Sequence, residues 1–501
     1  MQVKMDFIIS SEVRKTFFRD LGLLLHVPAF LVIPSLLVIL YFEEYFALPS
    51  FLGMAFLSLA AGQILYRVFK NSRKSQPRIT LIMVALAWFI IPLFGSIPFY
   101  FIGSMETGLV GNATNLSDFP SAFFESMSGF TSTGLSMLDH PETIPHSLQW
   151  LRSLSEWLGG MGIILLVVGF FNFSSEMNTL YQAEAMNWTI GDSKLEETIH
   201  RIWQIYLALT IVAIIAFYSA GMPGWEAINH GLTGISTGGF TMTPDSFISY
   251  NPSIKWVGII VMIIAALSFQ IHYLFFIKRD FRRIIRLSEF KVFSAIIIVL
   301  MVVVHILNPS EDVVNNVFQT ASALGTCGFN SVETANMPLS ILFLFVVAMT
   351  FGGNATSTTG GLKTRRIIWV FKGIVKNLPD SGKKEENKSS VYLNGKEIKD
   401  KVARKQIKSA ANLFVLWTTS LIVGSFLIIL SEGDKYLLHQ ILFDVSSALN
   451  NVGLSAGVNE NEMTGFSKIV FICLMWIGRL EIFSCIVLIY SFFISGHFNK
   501  N

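Results

Sequence analysis

The chain has 501 residues, 52% of them apolar and 14% charged, with a formal net charge of +3 and a mean hydropathy of +0.56. A soluble domain carries about 25% charged residues, so a water-soluble globular protein is excluded. The small positive balance gives no reason to expect a nucleic-acid partner; membrane lipid is the expected surrounding.

In chain order, the first two long apolar stretches lie near 21–42 and 48–69 and form a hairpin ahead of the rest. Each reaches the roughly 20 residues that a helix needs to cross a bilayer. No small-residue cleavage site follows the first, so it is expected to stay in place as a span. Eight more follow near 79–103, 148–172, 200–221, 254–277, 291–307, 338–376 (interrupted), 410–430 and 467–495. The expectation is an all-α membrane protein with about ten transmembrane helices.

Charge sets the orientation. Residues 67–78 and 278–286 are basic, and 363–408 carries fourteen Lys/Arg against five Asp/Glu. Residues 104–147 hold five acids and no Lys or Arg, and 308–338 hold three acids and none. The positive-inside rule places the basic segments in the cytoplasm. Both termini are then cytoplasmic, in line with Lys4, Arg14, Lys15 and Arg19. Cys327, Cys473 and Cys485 make no disulfide framework.

Between paired spans lies a repeated short stretch: Phe124 to Leu135, Asn229 to Phe240, Phe318 to Phe329 and Phe443 to Leu454. Aligned without gaps, all four place glycine at one anchor (Gly134, Gly239, Gly328, Gly453), followed by Leu or Phe. Ser or Thr stands six residues before it, as Ser128, Thr233, Ser322 and Ser447. Nine before it comes a polar residue: Glu125, His230, Gln319 or Asp444. Chance puts glycine at four matched places on the order of once in 10⁵. The apolar segment before each turn is too short to span, so it dips in from outside and returns. All four units share one orientation, giving parallel helix–pore-loop–helix repeats around one pore. The units are expected at 1–78 (helix pair), 79–198, 199–290, 291–408 and 409–501.

Non-helical backbone at membrane depth is tolerated where it lines a water-filled passage. A half-helix ending at such a turn presents its negative dipole end, which favours a cation. Glycine there takes positive φ readily, and a ring of carbonyls can replace an ion's hydration shell. The candidate ion-binding residues are Ser132, Thr133 and Gly134; Thr237, Gly238 and Gly239; Thr326, Cys327 and Gly328; and Asn451, Val452 and Gly453.

This quartet of loops with single glycines resembles the TrkH/KtrB/HKT superfamily of K⁺ transporters. The preceding helix pair, with Asp20-Leu-Gly-Leu-Leu-Leu-His26-Val-Pro28, resembles its bacterial TrkH branch. The resemblance implies K⁺ as the transported ion, held by filter carbonyls. Glycine in all four loops goes with K⁺ preference there. It also implies a homodimer with one pore per chain, a cytoplasmic nucleotide-binding regulator of TrkA type, and the bacterial inner membrane. The turns Thr-Ser-Thr-Gly, Ser-Thr-Gly-Gly, Gly-Thr-Cys-Gly and Asn-Asn-Val-Gly are unequal, so Na⁺ or weakly selective cation transport stays open, and behind it a carrier of an organic solute.

In the third repeat the span breaks at Gly352-Gly353-Asn354-Ala355-Thr356-Ser357-Thr358-Thr359-Gly360-Gly361 before resuming at Leu362-Lys363. Such a sequence makes no stable lipid-facing helix. The resemblance implies a gate that obstructs the pore. Arg479 lies mid-span, 26 residues past Gly453, at nearly the depth of that loop. A buried arginine should face the bundle interior or water, and the resemblance implies a barrier contacting the loop. Arg152 and Glu156 read as a structural pair. The histidines at 26, 230, 272 and 305 are scattered and read as packing residues. No nucleophile–base motif or phosphate loop points to an enzyme or to an organic cofactor.

Overall fold

Long apolar runs in a bilayer must satisfy their own backbone polar groups, and helices do so within one segment. The computed structural model describes residues 11–71, 77–106, 108, 110–162, 195–377, 391–459, 461–480, 482 and 485. Helices α1 (Ser11–Leu24) and α2 (Val27–Tyr41) run nearly end to end and fold back on α3 (Leu48–Val68). Their closest approach uses the absence of side chains. A β-carbon built on Gly22 would stand 2.7 Å from the Gly62 carbonyl oxygen, and one on Gly62 would stand 2.8 Å from that of Gly22. His26 marks the α1–α2 joint, its Nδ1 bonded to the Gly22 carbonyl at 2.9 Å and its Nε2 to Gln63 at 2.8 Å.

Four repeats follow. The first has α4 (Pro77–Gly103), the short α5 (Phe119–Phe130) and α6 (His146–Met161). The second has α7 (Leu195–Ser219), short α8 (Gly224–Ile235), α9 (Pro252–Ala266), α10 (Phe269–Tyr273) and α11 (Phe281–Arg286). The third has α12 (Ser288–Leu307), short α13 (Val313–Gly325), α14 (Leu339–Phe351) and α15 (Thr364–Asn377). The fourth has α16 (Asp400–Glu432), short α17 (Leu438–Leu449) and α18 (Gly465–Arg479). At about 1.5 Å per residue the four short helices reach roughly 20 Å, less than the ~30 Å hydrocarbon core. Each starts from a defined cap or a proline: the Asp118 carboxyl accepts the Ser121 N–H at 3.0 Å, and Asp312 that of Val314 at 3.2 Å.

The repeats close on themselves. The span after each turn packs on the short helix of the next repeat: α6 on α8, α9 on α13, α14 on α17, and α18 back on α5. The chain is therefore an all-α membrane protein of four parallel repeats around one axis, with the N-terminal pair packed against the first. Six described helices are long and apolar enough to span, and the bent pair α9–α10 makes up to seven. The spans expected at 148–172 and 467–495 continue into residues outside the described set.

Two features depart from expectation. The span expected as continuous over 254–277 bends by 100° after Ala266. Leu267 is extended there, at φ −80° and ψ 148°, and Ser268 caps α10. The freed Ala266 carbonyl accepts the Asn354 N–H at 3.0 Å, and Phe269 N–H donates to the Thr356 carbonyl at 3.2 Å. The glycine-rich loop of the third repeat thus supplies the bonds that the helix gives up, a long-range partner that local apolar character does not reveal. The second departure is a hairpin in the basic segment, β1 (Val391–Leu393) against β2 (Lys396–Ile398). Asn394 and Gly395 both take positive φ at its tip, as a two-residue hairpin turn requires. The Asn394 amide oxygen accepts the Ser288 N–H at 2.7 Å, which fixes the tip to the start of α12.

Candidate ion-conducting site

The four short helices end identically. The residue two before each anchor glycine is left-handed: Ser132 at φ 51°, Thr237 at 53°, Thr326 at 48° and Asn451 at 50°. Its N–H bonds the carbonyl three residues back, on Gly129, Gly234, Ala323 or Ala448. The following N–H bonds the carbonyl five residues back: Thr133 to Ser128 at 2.9 Å, Gly238 to Thr233 at 2.8 Å, Cys327 to Ser322 at 3.0 Å and Val452 to Ser447 at 2.9 Å. This paired closure is a Schellman cap, here with non-glycine residues in a conformation that costs them about 1 kcal/mol or more. It gives the recurrent Ser/Thr column one backbone role, as the carbonyl that closes the cap.

The anchor glycines then form a ring. All four have positive φ: Gly134 83°, Gly239 95°, Gly328 87° and Gly453 99°. A β-carbon on Gly134 would meet the Gly238 carbonyl oxygen at 2.1 Å, and one on Gly239 that of Cys327 at 2.1 Å. One on Gly328 would meet the Val452 oxygen at 2.3 Å, and one on Gly453 the Thr133 oxygen at 2.4 Å. Each glycine therefore nests against the carbonyl that precedes the next glycine, in the order one, two, three, four, one. Only residues without a side chain allow that approach. Four helix C-termini converge below the ring, which gives the site a negative potential from backbone alone.

The unequal residues beside the glycines follow from what lies beneath them. The Ser132 hydroxyl donates to the Glu156 carbonyl at 2.8 Å, and Asn451 Nδ2 to the Met475 carbonyl at 2.9 Å. These acceptors are equivalent positions of α6 and α18. The third repeat is broken at that level, so the Thr326 hydroxyl instead accepts the Gly360 N–H at 2.8 Å. In the second, the Thr237 hydroxyl turns to the Ser236 carbonyl at 2.7 Å. Asn451 also donates to the Thr133 hydroxyl at 2.9 Å across the junction of the fourth and first repeats.

The glycine-rich loop 352–361 sits directly under these turns. Gly352, Thr356 and Gly361 have positive φ. The Thr358 hydroxyl reaches the Ile235 carbonyl at 3.1 Å, at the end of α8. A β-carbon on Gly360 would fall 1.7 Å from the Asn450 carbonyl oxygen, at the end of α17. Ser357 bonds Asn354 and Thr359 within the loop, and Lys363 folds back on Thr359. Ala355 N–H donates to the Glu289 carboxyl at 3.1 Å, which also holds Arg365 at 2.5 Å. The loop, with Gly353 packed close to the Ala266 carbonyl, thus contacts the second and fourth repeats as well as its own.

Arg479 completes the layer. Its guanidinium donates to the Thr358 carbonyl at 3.2 Å and to the Gly160 carbonyl at 3.0 Å, and bonds the Gly159 carbonyl too. It stands 5.5 Å from the centre of the Trp88 ring.

The expected pairing of Arg152 with Glu156 is not what forms. Although one helical turn apart, they turn to different partners. Arg152 Nε bonds the Glu125 carboxyl at 2.7 Å, with both side chains almost fully buried. Glu156 accepts the Phe240 N–H at 3.2 Å on each oxygen. Among the described residues no group of three His, Cys, Asp or Glu side chains gathers as a metal cluster. Oxygen atoms of the backbone are what the site offers.

The profile of a family described as TrkH, cation transport protein, matches residues 96–296 and 292–500. The Trk system potassium uptake protein TrkH of Escherichia coli is 30% identical over 482 residues, covering 91% of this chain and 94% of its own. The chain belongs to the TrkH family of cation transport proteins. A cation transporter of Methanocaldococcus jannaschii is 29% identical over 474 residues, with 93% of both chains covered. The crystal structure of the potassium transporter TrkH from Vibrio parahaemolyticus superposes with a TM-score of 0.79 at 25% identity, covering 95% of this chain and 98% of that one. These TrkH relatives are transporters, and with the apolar helices they mark the present chain as a multi-pass membrane protein.

Proposed function

We propose that this TrkH-family chain carries K⁺ into the cell across a bacterial inner membrane, with both termini cytoplasmic. The twelve residues Ser132–Gly134, Thr237–Gly239, Thr326–Gly328 and Asn451–Gly453 form its selectivity filter. K⁺ is the cargo, held by their carbonyl oxygens. The observation that carries this reading is the closed ring in which each anchor glycine nests on the next loop's carbonyl. Such a ring has oxygen ligands, a fixed circumference and no side chain to fill it. The printed names of the Escherichia coli and Vibrio parahaemolyticus relatives, potassium uptake protein and potassium transporter, support the choice of ion.

Below the filter, the loop Gly352–Gly361 and Arg479 act as a gate that opens for passage. Ions entering from outside are drawn by an inside-negative potential worth about 2.3 kcal/mol per charge per 100 mV. The protein assembles as a homodimer with one pore per chain. A cytoplasmic nucleotide-binding subunit of TrkA type regulates it from the side that carries the basic segment 363–408. The repeat boundaries proposed are 79–198, 199–290, 291–408 and 409–501.

Flux of K⁺, Rb⁺ and Na⁺ into vesicles containing the purified protein tests the reading. K⁺ and Rb⁺ are expected to enter in preference to Na⁺. Equal Na⁺ entry would replace the K⁺ assignment by weakly selective cation transport through the same ring.

A further inference from the structure

The outgoing limb of each turn, just past the anchor glycine, has to be held if the ring is to keep its circumference. Three repeats hold it in the same way, through the polar residue nine before the glycine. The Glu125 carboxyl accepts the Met137 N–H at 2.9 Å, Gln319 accepts that of Ser331 at 3.2 Å, and Asp444 accepts that of Ala456 at 2.5 Å. Each donor is the third residue after its glycine. All three side chains are fully buried, so each bond forms in a medium where polar contacts are strong.

The second repeat cannot do this. Its residue at that position, His230, turns Nδ1 back to the Glu226 carbonyl at 2.8 Å. Its ring sits among Phe217, Phe247, Tyr250 and Phe329, and its Nε2 is buried without a hydrogen-bond partner. The limb is held instead by α6 of the first repeat. The Glu156 carboxyl takes the Phe240 N–H. Arg152 Nη1 donates to the Thr241 carbonyl at 3.2 Å while its guanidinium covers the Phe240 ring at 4.1 Å. A β-carbon on Gly238 would fall 2.2 Å from Glu156 Oε2, so that carboxyl lies against the turn itself. Arg152 simultaneously bonds Glu125 and the Ser136 hydroxyl, at 2.7 and 3.2 Å, on the limb of the first turn.

We propose that Arg152 and Glu156 are positioning residues for the second filter loop, a substitute supplied by the neighbouring repeat for the tie that His230 cannot make, and that they set ion selectivity through it. The inference rests on the reading of the four turns as a filter. Neither residue touches the ring carbonyl positions through a side chain of its own loop; both act on the backbone that carries them.

The test measures the Rb⁺ to Na⁺ uptake ratio in vesicles for Glu156→Ala, Glu156→Gln, and Glu156→Ala combined with His230→Gln. Removing the acceptor should lower the ratio about tenfold, the equivalent of one buried hydrogen bond lost from the ring. Glu156→Gln keeps an acceptor at the same place and should stay within about threefold of the parent. In the double variant, glutamine at 230 recreates the arrangement of Gln319 and should recover much of the ratio. A purely structural role for Glu156 predicts lower yield or melting temperature with an unchanged ratio and no rescue, and that result would overturn the proposal. Gly134→Ser serves as the reference. If it changes the ratio and Glu156→Ala does not, the tie fails and the filter stands; if neither does, the filter reading fails as well.

Discussion

Replacing Arg479 by Ala puts the proposed gate under direct strain. The side chain spans two bodies: one bond goes to Thr358 in the glycine-rich loop, and two go to Gly159 and Gly160 at the end of α6. Alanine removes the staple between them without adding bulk. A hydrogen bond involving a charged group contributes about 1.5–3 kcal/mol. Losing the bond to Thr358 therefore shifts the loop's closed-to-open equilibrium by roughly 10- to 150-fold. While the closed form still dominates, rubidium uptake into vesicles should rise by at least the lower figure. Arg479→Lys keeps the charge yet cannot fork to three carbonyls, so it should raise uptake by less. The difference separates the mechanical tether from the electrostatic barrier. Uptake that falls, or stays at the parental rate, in protein of unchanged melting temperature would refute the gating role of this contact.

Three further outcomes follow from the same geometry. Gly134→Ser puts a side chain where 2.1 Å separates its β-carbon from the Gly238 oxygen, at φ 83°; a lower Rb⁺ to Na⁺ ratio is expected, and an unchanged one would remove this loop from the filter. Gly360→Ala, with 1.7 Å available to Asn450, should push the loop off the fourth turn and raise basal uptake severalfold; unchanged uptake would mean the loop does not block the path. Glu125→Ala strands the buried Arg152 guanidinium, whose loss of a partner should destabilise the protein by about 3–5 kcal/mol. Thermal unfolding in detergent should register it clearly, with Glu125→Gln, which keeps an acceptor but not the charge, nearly as severe; a Glu125→Gln protein that melts like the parent would show that charge pairing is not what matters there.

The four-fold repeat was legible in sequence because backbone geometry imposed it. Positive φ and a 2.1–2.4 Å approach at the anchor admit only glycine, so glycine recurs in one register. The Ser/Thr column and the polar column nine before the glycine were visible as patterns without a visible purpose. Their roles, as the carbonyl of a helix cap and as a tie to the outgoing limb, depend on bonds that close only in three dimensions. The left-handed Ser132, Thr237, Thr326 and Asn451 carry no common side chain, so nothing marked them as one structural class. The bend after Ala266 escaped because its cause is Asn354 and Thr356, far along the chain. Arg152 and Glu156 misled for a related reason. Their spacing on α6 suits a mutual contact, but stronger partners in the first and second turns claim each of them. The β-hairpin could have been found, since Asn394-Gly395 between two short β-prone runs is its ordinary signature.

The ring has a seam, and the seam governs how the molecule is made. Gly453 must reach the Thr133 carbonyl, and Asn451 must reach the Thr133 hydroxyl, the latter across a sequence separation of 318 residues. During synthesis the first three turns emerge and cap their helices locally, yet no circumference exists until the fourth hairpin arrives. Until then Gly328 lacks the Val452 carbonyl that it nests on, and α5 lacks α18. Contacts of such long range form last and slowly. A chain halted before residue 453 is thus an open arc, leaving an incompletely synthesised protein without the ion pathway of the finished one.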